Sequence, residues 1–137
     1  MKLTKLNNDK FINVNLNKYK IDWLGKSPSN SQKLVKQFLY PFWKTHFCCE
    51  EYRIPGSLLR IDLINFTRKI AIEVDGPQHE SYNIHFHRNR LGYYNSIKRD
   101  FLKERWLEKN GFKFIRILES DLNNLSIEYL EKLGINI

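Results

Sequence analysis

The sequence predicts a small α/β domain in which one short mixed sheet is flanked by helices. Three observations carry this. Two apolar runs of strand length, Leu58 to Ile64 and Lys69 to Asp75, are separated by a turn through Asn65 to Arg68. A stretch with helical spacing precedes them (Leu34, Val35, Phe38, Leu39, Phe42), and a second helical stretch, about Asn95 to Lys109, follows. A final alternating strand, Lys113 to Leu118, comes after an Asn110-Gly111 stop.

In chain order, residues 1–28 are polar and rich in Lys and Asn, with scattered apolar anchors, and predict a basic, irregular or partly extended N-terminal arm. Residues 29–137 form a single domain. Ser27-Pro28-Ser29 offers a helix start, and Pro41 is expected to kink or end that helix. His46 to Ile54 reads as a strand ending at Pro55-Gly56. Gly76-Pro77 breaks the chain after the third strand, residues 80–93 read as a loop, and Leu125 to Leu133 as a short closing helix. Helix, three strands, helix and strand make a layered α/β sandwich.

The chain has 137 residues, enough for one domain with a substantial core, and 42% of them are hydrophobic, which argues against disorder. No apolar run approaches the roughly 20 residues of a membrane span, and Met1 to Phe11 lacks a signal-peptide core, so the expected location is the cytoplasm. Lys and Arg number 23 against 15 acidic residues, a net charge of +8, which favours a polyanionic partner such as nucleic acid but also fits plain lysine-rich solubility. Cys48 and Cys49 are adjacent and offer neither a zinc knuckle nor a disulfide framework; they read as small hydrophobes in a strand. His85 and His87 lack a third zinc ligand at a recognisable spacing.

Against this basic background, the carboxylates of Arg60 to His79 stand out. Strand alternation puts Ile70, Ile72 and Val74 on one face and Ala71, Glu73 and Asp75 on the other. The hairpin brings Asp62 opposite or diagonal to Glu73. Three carboxylates are expected to converge there, with His79 close behind. Oxygen ligands with positions left for water and phosphate suit a hard cation such as Mg²⁺. The bland reading of Glu73 and Asp75 is a charged, half-exposed strand edge.

Asp62 on one strand, Glu73-Val74-Asp75 on the next and the αβββαβ order resemble the PD-(D/E)XK nuclease core. IAIEVDGPQH followed by IKRDFLKERWLEKNGFKFIRILESDL is similar to the very-short-patch-repair (Vsr) endonucleases and equally to the EDxHD homing endonucleases of phages. The likeness covers roughly residues 29 to 120.

The resemblance implies a metal-dependent DNA phosphodiesterase using Mg²⁺, with Mn²⁺ as a substitute. It implies Asp62, Glu73 and, through its backbone, Val74 as metal ligands, and Asp62, Glu73, Asp75, His79 and Asp100 as the catalytic set. His79 is suited to proton transfer, and Asp100 faces the site from the helix on the same stripe as Leu107. Asp75 stands where the superfamily usually has lysine and Vsr-type enzymes histidine. Gln32 stands where many relatives have a helix glutamate, and Glu50 or Glu51 are alternatives for that position. The Vsr zinc cysteines are missing, which favours the phage branch.

Arg88, Arg90, Lys98 and Arg99 are the candidate DNA contacts, with Tyr93 and Tyr94 beside them as stacking or wedging residues. The expectation is thus a site-preferring phage homing endonuclease acting on double-stranded DNA in an infected bacterial cytoplasm, as a monomer or homodimer. The alternatives are a mismatch- or junction-directed nicking enzyme, and a non-catalytic nucleic-acid-binding module on the same fold.

Overall fold

The computed structural model describes residues 1–75 and 90–137. Its centre is a four-stranded mixed sheet in the order β3-β4-β5-β6, formed by Cys48–Arg53, Arg60–Asn65, Ile70–Asp75 and Lys113–Leu118. β3, β4 and β5 run antiparallel to one another in turn, and β6 lies parallel to β5. A parallel neighbour requires a crossover, and the connection between β5 and β6 contains the long helix α2, Arg90–Lys109.

The core divides into two clusters, one on each face of the sheet; alternation accounts for most of the division, but Ile61 and Leu63, two residues apart on β4, fall in different clusters. Leu63, Ile72, Ile115 and Ile117 pack beneath helix α1, Asn30–Trp43, through Val35, Leu39 and Trp43, and beneath the short C-terminal helix α3, Ile127–Lys132, through Leu130. Cys49, Ile61, Ile64 and Ala71 pack on the other face against Trp106 and Leu107 of α2. The expected α/β sandwich is present, with helices on both faces.

Ser29 caps α1, its hydroxyl accepting from the Gln32 N–H at 3.1 Å. Pro41 lies inside α1 without ending it, since the helix continues to Trp43. At the far end of α2, Gly111 takes a φ of 80°, while the Phe112 N–H reaches back to the Leu107 carbonyl at 2.8 Å. This is the glycine stop expected of Asn110-Gly111.

Two expectations gain detail. Within residues 1–28, expected as an irregular or partly extended arm, Lys2–Thr4 (β1) and Phe11–Asn13 (β2) form an antiparallel hairpin, and a 3-10 turn follows at Asn17–Tyr19. Leu3 is buried in the α2-side core, and the Trp106 indole N–H donates to the Thr4 carbonyl at 2.7 Å. Residues 90–93 already belong to helix α2, so the end of the expected 80–93 loop is helical. Among the described residues, no helix is long and apolar enough to cross a membrane.

Candidate carboxylate site

The site forms where the β4–β5 ladder stops. Leu63 pairs with Ile72, and one residue further on Asp62 and Glu73 face one another. The ladder's next hydrogen bonds are made by side chains. The Asp62 N–H donates to Glu73 Oε2 at 3.2 Å, and the Val74 N–H donates to Asp62 Oδ2 at 2.9 Å. Each carboxylate therefore holds a backbone amide of the opposite strand, and both are fixed at the mouth of the hairpin.

Glu73 is buried and pairs with Lys103 of α2, whose Nζ lies 2.5 Å from Oε1. Asp62 is pushed up from 3.8 to about 8. The causes are first its burial, then the negative charge of Glu73 and a hydrogen bond with it; the Val74 amide opposes them, and Glu51 adds to the rise.

Two neighbouring glutamates that the sequence left open are now separated. Glu50 is tied to the buried Lys36 of α1 at 2.9 Å and accepts from the Asp22 N–H at 2.7 Å. Glu51 accepts from Gln32 Nε2 at 3.4 Å, and the same nitrogen lies 3.4 Å from the Asp62 carbonyl. Strict alternation would send consecutive residues to opposite faces, yet both glutamates meet α1. The left-handed backbone of Glu51, φ 48°, breaks the alternation. Gln32 thus reaches the site edge through its amide nitrogen, with Glu51 beside it.

Asp75 shares the Glu73 face, as alternation predicts, but its carboxylate is engaged by Arg116 of β6, at 3.3 and 3.4 Å to its two oxygens. Asp100 of α2 lies 3.6 Å from the other guanidinium nitrogen. The expected convergence of three carboxylates is therefore only partly realised: Asp62 and Glu73 meet, while Asp75 and Asp100 gather around Arg116. Among the described residues, no group of three or more His, Cys, Asp or Glu side chains is arranged to hold a metal ion.

The donors present nevertheless fit a Mg²⁺-type ion. Asp62, Glu73 and the Val74 carbonyl are all hard oxygen donors, and Mg²⁺ binds through one or two carboxylates while keeping several waters. Burial first, and the Glu73 charge second, raise Asp62.

His79 and Arg88 lie outside the described residues, as do His85, His87 and the Gly76-Pro77 break; so do the side chains of Arg90 and Tyr93. Lys98 and Arg99 are solvent-exposed on α2, Arg99 donating to the Ser96 hydroxyl at 3.1 Å, and Tyr94 is exposed beside them. Cys48 and Cys49 are free and buried, and burial lifts both thiols to about 12, so they act as inert core residues.

Lys103, Arg116 and Lys36 were missed by sequence reasoning. Lys103 follows Asp100 by three residues, on the same stripe of α2, and Arg116 alternates between two buried isoleucines, which turns it to the Glu73 face. Both signals were present in the sequence.

No protein-family model matches the chain, and no solved structure matches it. Among curated proteins, the chain is similar to uncharacterized protein 033L of Invertebrate iridescent virus 3, with 36% identity over 84 residues. That alignment covers 61% of this chain and 43% of the viral protein, so less than half of the relative's length is spanned. The relative comes from a virus of invertebrates, not from a phage.

Proposed function

We propose that this chain is a metal-dependent endonuclease that hydrolyses phosphodiester bonds of double-stranded DNA. The observation that carries the reading is the Asp62–Glu73 pair at the mouth of the β4–β5 hairpin, with the Lys103 ammonium on Glu73. The carboxylates sit in a chain of net charge +8, a body suited to a polyanion.

A divalent cation held by Asp62, Glu73 and the Val74 carbonyl would supply Lewis-acid polarisation of the phosphate and a template for the attacking water. The chain's own groups do the rest. Glu73 and Asp62 are oriented by backbone amides; a bound cation would displace the Lys103 ammonium from Glu73 and the proton that burial favours on Asp62. Lys103 brings a positive charge to the edge of the pair, where negative charge builds on the phosphate oxygens during hydrolysis. His79 remains the proton-transfer residue implied by the likeness to Vsr and EDxHD enzymes, with Asp100 as the other candidate. Lys98, Arg99, Arg88 and Arg90 supply phosphate contacts away from the reacting group.

The finer reading is a site-preferring homing endonuclease working in the cytoplasm of an infected cell. The invertebrate-virus relative gives a phage origin no support. A second reading, a nucleic-acid-binding module without catalysis, is favoured by one observation: Lys103 and Arg116 already neutralise Glu73 and Asp75. A supercoiled plasmid incubated with the full chain in Mg²⁺, Mn²⁺ or EDTA separates the two. Nicked or linear product in either metal, absent in EDTA, supports the enzyme. Gel-shift binding with intact plasmid under all three conditions establishes the module instead.

A further inference from the structure

Arg116 is the register partner of Glu73 across the parallel β5–β6 pair. Its guanidinium lies against Asp75 and Asp100 and stacks over the Phe114 ring, 5.0 Å from the centroid. Phe114 is two residues earlier on the same strand and so on the same face. The cation is held by groups from β5, α2 and its own strand.

Asp75 is the residue best placed by strand geometry to become a third ligand beside Glu73, being two residues along on the same face. We infer that Arg116 is a positioning residue that keeps Asp75 and Asp100 out of the metal donor set and confines a divalent cation to the Asp62–Glu73 pair. This rests on the metal-site reading above. A two-carboxylate site leaves coordination positions for water and a phosphate oxygen, whereas a third carboxylate would fill one and add repulsion toward the phosphate. Arginine suits the task because one planar guanidinium can serve two carboxylates at once, which a lysine point charge does poorly.

The test is a double-mutant cycle on Mn²⁺ affinity, read by electron paramagnetic resonance of free Mn²⁺ during titration of the full chain. Asp75→Asn is made with Arg116 present and again in an Arg116→Gln background. If Arg116 holds Asp75 away from the metal, the Asn substitution changes affinity by less than about twofold in the first case and weakens it by roughly tenfold in the second, where the Arg116 pairing no longer keeps Asp75 from the metal.

Equal effects in both backgrounds overturn the inference, because they reduce Arg116 to a distant charge. A tenfold loss from Asp75→Asn with Arg116 intact also overturns it, since Asp75 would then be a ligand already. Where Arg116→Gln fails to fold, Arg116→Lys supplies the second background, with a smaller expected loss of about threefold. Cleavage is scored separately. A chain that follows this pattern but leaves DNA uncut keeps the role of Arg116 and loses the nuclease reading. A chain that cuts DNA with equal Asn effects does the reverse.

Discussion

Asp62 and Glu73 end the β4–β5 ladder by exchanging roles with the backbone: the Asp62 amide donates to Glu73, and the Asp62 carboxylate receives the Val74 amide. A pair held this way is positioned by backbone amides before anything binds, so substitutions there should separate chemistry from architecture. Asp62→Ala and Glu73→Ala are each expected to abolish plasmid cleavage while leaving DNA binding and the circular dichroism spectrum close to wild type. Cleavage at near wild-type rate by either variant would remove that residue from the metal site.

The raised Asp62 acid gives the metal-free protein a distinctive pH dependence. Between its ordinary 3.8 and about 8, the folded chain retains a proton at Asp62 that the unfolded chain releases. Asp62 therefore makes stability fall as pH rises through that window, and its contribution levels off above about 8. Asp62→Asn should flatten this part of the curve, so the stability gain over wild type grows from pH 5 to pH 8.5. Urea unfolding in EDTA measures it, and a gain that is the same at both pH values contradicts the assignment.

Lys103→Ala leaves the buried Glu73 carboxylate without its cation. The expected loss is about 1–3 kcal/mol of stability, together with a fall in cleavage rate at saturating Mg²⁺. Lys103→Arg should recover much of the stability. Thermal melts and single-turnover cleavage on the same preparations check both, and unchanged melting would show that the ion pair is not maintained in solution.

DNA affinity should fall linearly with the logarithm of salt concentration. Replacing Lys98, Arg99 or Arg88 with Ala is expected to reduce the slope by about one for each phosphate deprived of its cationic partner. Fluorescence anisotropy across a salt series reads this directly. Unchanged slopes in all three variants would move the footprint elsewhere, with the lysines of the N-terminal hairpin next in line.

His79→Ala is expected to lower single-turnover cleavage by roughly 10²–10⁴-fold, the usual range for a general acid or base. Mn²⁺ affinity and melting temperature should barely change. A large drop in melting temperature with normal cleavage would assign His79 to packing and leave Asp100 as the better proton carrier.

What the sequence made legible follows how local each feature is. Strand β6 spans Lys113–Leu118 as expected, because alternation and the Gly111 stop are both written within a few residues. The meeting of Asp62 and Glu73 was legible too, since hairpin register fixes it. The β1–β2 hairpin was not: its strands are three residues each, and Leu3 is ordered by α2, about a hundred positions away. The helicity of residues 90–93 was hidden by Gly92 and two tyrosines, which are weak helix formers. Lys103 and Arg116 escaped for a related reason. Their periodicity shows which residues share a face, but only the docking of α2 and the β5–β6 register decide which carboxylate each one meets.

In the β4–β5 pair, most backbone amides are held by carbonyl oxygens, which do not titrate. The amides of Asp62 and Val74 are held by carboxylates, which can take up a proton or a cation. Their hydrogen-exchange protection is thereby coupled to what those oxygens carry, while neighbours such as Leu63 and Ile72 report only on the opening of the sheet. Two amides, separated by twelve positions in sequence, thus form a built-in probe of the site's occupancy that can be followed without any substrate.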